Sequence, residues 1–321
     1  MKIIRRYKWW LSALLVLLAA YGGGRLYLGG GRLYYKMTDG FSLENISSSF
    51  GFDDRWVTHP LSAEEKELVD TVLSQEFHYL GKGCQSYVFE SADGKYVIKF
   101  FKYQRYRQAE WVKQFDFIPS VHKHRMSRTA HKQRKLEGVF KSWVVAFNHA
   151  KEETGLIYVH LNKTEGLGKR VTLIDKMNRR HAVDIDQYEF LIQKKGIMLT
   201  AHLDFLMREG RVEEAKQFLD ALVMQILGEY RRGVADNDPA LMQNTGVIDG
   251  APAHLDVGQF DFAPKYAEKS IYEPEIFQKF YKFRRWLTKE HPALGKHLDA
   301  VLLREFGGEF FRIPPNPRYV S

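Results

Sequence analysis

A lysine set in the middle of an apolar strand constrains this chain more than any other feature. Residues 96–101 read Tyr-Val-Ile-Lys-Phe-Phe, a β-branched and aromatic run of the kind a buried strand takes up. Lys99 stands inside it, and an ammonium withdrawn from water needs an anionic partner unless its stem carries it back to solvent. The run follows an Ala92-Asp93-Gly94-Lys95 turn. Before that turn lies a glycine-bearing hairpin, Tyr79-Leu80-Gly81-Lys82-Gly83-Cys84-Gln85-Ser86-Tyr87-Val88. Glycines at this spacing let backbone N–H groups approach phosphate oxygens that side chains would block. Two hairpins and one strand lysine together predict a phosphate-binding unit.

The second half of the chain supplies oxygen ligands. A helical pattern over 212–232, with apolar positions from Ala215 to Tyr230 recurring at three and four, ends at Gly233. Gly233-Val234-Ala235-Asp236-Asn237-Asp238 follows directly. Asn244 lies six residues beyond Asp238, and Asp256 lies twelve beyond Asn244. Two carboxylates and an amide in this order suit Mg²⁺ coordination and the orientation of a nucleophile. Each alone also reads as an ordinary polar turn.

Taken as an ordered set, these segments resemble the protein-kinase-like superfamily, which includes protein kinases and small-molecule phosphotransferases such as the aminoglycoside kinases. Gly81-Lys82-Gly83-Cys84-Gln85-Ser86-Tyr87-Val88 is similar to the G-x-G-x-x-G-x-V loop, with Ser86 in place of the third glycine. Val97-Ile98-Lys99 is similar to V-A-I-K and Asp256-Val257-Gly258 to D-F-G. The resemblance covers about 77–262 and implies ATP and Mg²⁺ as cofactors. It gives Lys99 the α/β-phosphate role, Asp238 the role of catalytic aspartate, and Asn244 and Asp256 the metal. Residues 81–88 would cover the phosphates, and Gln193-Lys194-Lys195-Gly196 would form the adenine-binding hinge. Glu137 is the choice for the glutamate that pairs with Lys99, with Glu110 as the alternative. The chain departs from the family at several points. Asp238 to Asn244 is one residue longer than the family spacing, Asp236 and Asn237 replace His and Arg, and no A-P-E closes an activation segment. These departures move the reading toward an atypical or small-molecule kinase, and keep open a pseudokinase that binds nucleotide without turnover.

Charge narrows the partners. The chain of 321 residues carries a net +9, but two segments hold the excess. Residues 1–36 have seven Lys/Arg and no acid, and residues 102–135 have ten Lys/Arg against Glu110 and Asp116. Generic nucleic-acid binding therefore has little support. The stretch 102–135 reads as an insertion, either a solvated helix face or a dock for anionic lipid or an acidic substrate. The partners implied are a nucleotide and a protein or small-molecule hydroxyl acceptor. One cysteine, Cys84, excludes an internal disulfide framework and multi-cysteine metal sites.

Between Lys8 and Arg25 run sixteen uncharged residues, Trp9–Gly24, with aromatics at both ends. They read as a single membrane anchor, with a cleaved signal and export as the alternative. The nearly balanced flanking charges specify orientation poorly; a kinase's need for ATP favours a cytoplasmic soluble part. A glycine-rich tether follows over 21–35. The predicted organisation is an anchor and tether over 1–36, a β-rich lobe over 37–193 and a helical lobe over 194–321, an α+β bilobal architecture. A capping box, Ser62 with Glu65, predicts a helix from about Pro60 to Gln75. Further helices are predicted near 130–150, 273–289 and 291–305. Strands are predicted at Phe77–Leu80, Tyr87–Phe89, Tyr96–Phe101, Leu156–Leu161, Val171–Ile174 and Phe190–Ile192.

Overall fold

The computed structural model describes residues 29–107 and 114–317. Its architecture is mixed α/β, with a β-rich part first along the chain and helices after it. Seven strands form the main sheet: β1 (Glu76–Lys82), β2 (Ser86–Ser91), β3 (Tyr96–Phe101), β4 (Leu156–His160), β5 (Arg170–Ile174), β6 (Arg180–Asp184) and β7 (Phe190–Lys194). Their order is β4-β7-β3-β2-β1-β5-β6. The central β1, β2, β3 and β7 pair antiparallel, and Lys99 on β3 faces Val88 on β2 and Leu191 on β7.

Alternation along β3 sorts its side chains between two cores. Ile98 and Phe100 join Phe77, Phe89, Leu173 and Phe190 on one face. There they meet Val69, Val72 and Leu73 of a helix at Ala63–Leu73. Phe101 points to the other face, where Leu136, Phe140, Trp143 and Phe147 cover it. Phe101 and Trp143 lie 3.9 Å apart between ring centroids. Lys99 shares this second face by the two-residue period.

In chain order the helices are α1 (29–38), α2 (Leu43–Ile46), α3 (Ala63–Leu73), α4 (Pro119–His149), α5 (Lys151–Thr154), α6 (Leu199–Arg208), α7 (Val212–Arg231), α8 (Leu241–Asn244), α9 (Lys269–Glu290) and α10 (Pro292–Phe306). The capping box of α3 closes in both directions, Glu65 N–H to Ser62 Oγ at 3.2 Å and Ser62 N–H to Glu65 Oε2 at 2.8 Å. α7 begins and ends within a residue of its predicted span, and Gly233 turns the chain out of it at φ +78°. Apolar faces of α6, α7, α9 and α10 build a third core of their own.

Two segments differ from the sequence reading. Residues 102–135 are not simply an insertion ahead of a helix: α4 starts at Pro119 and runs 31 residues, about 46 Å. Its first turns lack the apolar stripe that marks a helix in sequence. Lysine and arginine sustain it through propensity, with proline at its first position. The glycine-rich tether read over 21–35 is helical from residue 29, and the left-handed Asp39 and Gly40 follow it. The proposed anchor, Trp9–Gly24, lies outside the described residues. Among the described residues no helix is long and apolar enough to cross a membrane.

Two small sheets complete the fold. β8 (Ile197–Met198), β10 (Thr245–Ile248) and β11 (Ala251–His254) associate in the order β11-β10-β8, and β9 (Val234–Asp236) pairs antiparallel with β12 (Phe260–Phe262). The β10–β11 hairpin holds Asn244 and Asp256 at its open end. The β9–β12 pair brings the 236–238 turn beside the 256–259 loop.

Candidate active site

The main sheet and the helical part meet along a cleft of about 480 Å³. The glycine hairpin forms its roof. Gly83 N–H donates to the Ser86 carbonyl at 2.9 Å, closing the turn, and the Lys102 ammonium holds the Gly83 carbonyl from behind. Burial, with Lys82 and Arg105 nearby, pulls the Lys102 ammonium down to about 8. Val88 and Val97 line the cleft on the sheet side, and Met198 and Leu255 face it from the other. A flat apolar ring fits between such walls.

Lys99 projects into this cleft, and its ammonium donates to the Leu255 carbonyl. Burial lowers its pKa from 10.5 to about 8, and the Asp256 carboxylate opposes that shift. Asp256 lines the same cleft. One of its carboxylate oxygens accepts from Gly258 N–H at 3.0 Å, and the other has no hydrogen bond among the described residues. α4 fixes the adjoining loop. Ser142 Oγ donates to the Val257 carbonyl and accepts from Phe260 N–H at 2.6 Å.

Of the phosphate- and hinge-binding candidates, Gly81, Lys82, Gly83, Gln85, Ser86, Val88, Gln193 and Lys194 line the cleft, and Cys84 lines a neighbouring cavity instead. Several have other engagements. Lys82 turns its ammonium to Asp39 at 2.9 Å and holds that carboxyl well below its usual range. The buried Gln193 amide donates to the Thr154 and His254 carbonyls at 2.6 and 2.9 Å. Lys194 pairs with Asp249 at 2.6 Å, and the N–H groups of Lys194 and Lys195 bond the Gly155 and Lys95 carbonyls.

The structure does not bring Glu137 to Lys99. Its carboxylate lies 3.6 Å from Arg55 and accepts from Gln133 at 3.3 Å. Trp143, further along α4, is the residue that reaches the cleft beside Lys99. Glu110, the alternative, lies outside the described residues.

Asn244 serves the site through its backbone, its carbonyl accepting from Leu255 N–H at 2.7 Å and Asp256 N–H at 3.2 Å. The neighbouring Gln243 lines the cleft. It stands five residues beyond Asp238, the family's own spacing, a signal the sequence carries and the choice of asparagine passes over. Asp238 sits outside the cleft wall, its carboxylate held by Gln259 Nε2 and by Ala240 N–H, both at 2.9 Å.

Beneath Asp238 lies a buried ionic cluster that the sequence reading lacks. Lys279 of α9 reaches Asp236 Oδ2 at 3.2 Å and the Asp238 carbonyl at 2.7 Å. His254 bonds Glu229 at 2.9 Å, and its other ring nitrogen lies 3.8 Å from Asp236. Burial alone would lower the His254 pKa, but the Glu229 and Asp236 carboxylates outweigh it and raise the imidazole above its usual value. Asp236 and Lys279 thus fix the 236–238 turn where the resembling family has histidine and arginine.

The donor set fits a hard divalent cation: one carboxylate with an open oxygen and the Gln243 amide in the same cleft, with further coordination left to phosphate and water. Among the described residues no three His, Cys, Asp or Glu side chains gather as a self-sufficient metal cage.

No family model matches this chain, and no curated protein matches it. Among solved structures it is similar to the bifunctional kinase-methyltransferase WbdD, at 12% identity and a TM-score of 0.33, with 74% of this chain covered. The match spans 45% of that protein's chain.

Proposed function

We propose that this chain is an ATP- and Mg²⁺-dependent phosphotransferase of bilobal protein-kinase-like architecture, tethered to a membrane through residues 9–24 with its remaining part on the cytoplasmic side. The observation that carries the reading is the meeting of Lys99 and Asp256 in one cleft roofed by a two-glycine hairpin. Lys99 would neutralise the nucleotide's α/β-phosphates, exchanging its bond to the Leu255 carbonyl for phosphate oxygen. Backbone N–H groups of the 81–88 hairpin would lie over the phosphates. Asp256 would hold Mg²⁺ with the Gln243 amide in the same cleft, and Asn244 would contribute by fixing the Asp256 backbone through its carbonyl. The ion, when bound, supplies neutralisation of charge on the transferred phosphoryl group. Asp238, fixed from below by Lys279 and from the side by Gln259, would accept the acceptor's hydroxyl proton.

A second reading is a nucleotide-binding scaffold without turnover, and the position of Glu137 favours it. With that carboxylate turned to Arg55, no glutamate among the described residues pairs with Lys99. Titration of ATP into the full-length protein, with and without Mg²⁺, separates the possibilities when combined with an assay for ADP release. Saturable binding that strengthens with Mg²⁺, with ADP release that depends on Asp238, supports the enzyme. Binding without turnover supports the scaffold, and absence of binding removes both.

A further inference from the structure

Beside the nucleotide cleft lies a second cavity, of about 740 Å³, lined by Arg105, Arg128, His131, Lys132, Lys135 and Lys141. Five of these six stand on α4, and Arg128, His131, Lys132 and Lys135 are related by steps of three and four, so these four present one face of the helix. Like charges a turn apart repel and disfavour the helix that carries them. Little nearby offsets them: Asp261 pairs with Lys141 at 2.7 Å, and Lys132 donates to the Arg107 carbonyl at 2.6 Å. Arg128 and Lys135 have no ion-pair partner among the described residues. Gly138, on the next turn of the same helix, also lines the cavity, and a Cβ added there would meet nothing within 4 Å. A glycine inside a helix is disfavoured relative to alanine. Packing does not require this one; its effect is to leave room in the cavity.

The cavity adjoins the reaction centre at two points. Gln85, at the tip of the glycine hairpin, lines both the cavity and the Lys99 cleft, and its amide lies close over Gly258. Gln259, on the cavity's far wall, is the residue that holds the Asp238 carboxylate.

We propose that this cavity is the acceptor site and that the acceptor is a polyol bearing a phosphate group. This rests on the phosphotransferase reading above. Guanidinium, ammonium and imidazole groups converging on one concavity suit the several oxygens of a phosphate, and each bond made there is charge-assisted. The anchored phosphate leaves a hydroxyl of the same molecule to meet Asp238. In the step itself the hydroxyl oxygen bonds the γ-phosphorus of ATP as the bond from γ-phosphorus to the β,γ-bridging oxygen breaks. The hydroxyl proton passes to Asp238, and ADP leaves. The polyol phosphate is either a soluble molecule or the headgroup of an anionic phospholipid.

The test uses full-length protein with its nucleotide site filled by a non-hydrolysable ATP analogue and Mg²⁺. Inorganic phosphate is titrated in and followed by calorimetry. Saturable binding is expected, weakened about tenfold or more by the Arg128→Ala/Lys135→Ala pair and blocked by Gly138→Leu, which removes no charge. ATP affinity should be unchanged in both variants, with unaltered thermal melting showing that the fold persists. Phosphate binding that is absent, or equal in wild type and variants, overturns the proposal. So does a loss of ATP affinity in the double variant as large as that in Lys99→Met, which would make these residues part of the nucleotide site. Phosphate binding that survives in a protein unable to bind ATP retains the anion site but removes the phosphotransferase reading. Phosphoryl transfer from ATP to glycerophosphate in solution, against vesicles of phosphatidylglycerol or of phosphatidylcholine, then identifies the source. Transfer to glycerophosphate marks a soluble acceptor, and transfer confined to phosphatidylglycerol vesicles marks the lipid. Phosphatidylcholine, which has no headgroup hydroxyl, serves as the blank, and transfer to glycerol at an equal rate counts against any recognition of the polyol phosphate.

Discussion

The Lys279 ammonium bridges the Asp236 carboxylate, at 3.2 Å, and the Asp238 carbonyl, at 2.7 Å. One cation from α9 thus neutralises the buried acid at the end of β9 and fixes the backbone of the residue proposed to take the acceptor's proton. Removing it leaves Asp236 buried without its partner. Lys279→Met should therefore destabilise the protein by about 3–5 kcal/mol, read as a lower midpoint in urea. Wild-type stability in that variant would show that the Asp236 charge is neutralised elsewhere.

His254 gives the same cluster a pH dependence. Its folded pKa lies above the unfolded value of 6.5. The protonated imidazole's contribution is therefore complete below pH 6.5 and is lost as pH rises through the folded pKa. Unfolding free energy measured across this window should fall with rising pH, and His254→Gln should flatten the slope. An equal slope in the variant would assign the dependence to other groups.

Lys99 titrates at about 8 in the free protein, and bound phosphate would raise that value toward its ordinary 10.5. Nucleotide affinity should decline as pH rises above about 8, by at most about tenfold per pH unit. Binding between pH 8 and 9 should also take up protons. Calorimetry in buffers of differing ionisation enthalpy measures this uptake, and Lys99→Met should abolish it. In the absence of nucleotide the sign reverses for stability: the unfolded lysine holds its proton above pH 8, so this group's contribution to folding rises from there to about 10.5.

The two aspartates should separate by readout. Asp256→Asn is expected to remove the Mg²⁺-dependent part of ATP binding. Asp238→Asn should leave binding intact and reduce transfer by about 10²–10⁴-fold, as for a lost general base. Comparing Gln243→Ala with Asn244→Ala then asks which amide serves the metal. Gln243 lines the cleft while Asn244 works through its carbonyl, so the greater loss of Mg²⁺ dependence is expected at Gln243.

What the sequence displays is the part of the fold governed by local period. β3, α3 and α7 announce themselves through alternation, a capping box and a three-four repeat ending in glycine. β8, of two residues, has no period to display, and Pro252 inside β11 argues against a strand until its partner Val247 is known. The first half of α4 is concealed because its length comes from propensity, without an apolar face. Glu137 shows how narrow the margin is within a helix. Consecutive residues are rotated by about 100°, enough to put Gly138 in the basic cavity while its neighbour's carboxylate meets Arg55. Lys279 belongs to a helix of charged and aromatic residues, and only the packing of α9 against the 236–238 turn singles it out. The juxtaposition of Lys99 with Asp256 is legible only as order along the chain, whereas α7, α9 and α10 of the third core show in their apolar periods.

The Gln193 side chain bonds two carbonyls at once, Thr154 at the end of α5 and His254 at the end of β11. This buried amide ties the sheet to the β10–β11 hairpin at one end of the cleft, and the Lys99 ammonium on the Leu255 carbonyl ties them again further along it. The two bonds come from neighbouring strands, β7 and β3, so a loss at Gln193 leaves Lys99 still holding the junction.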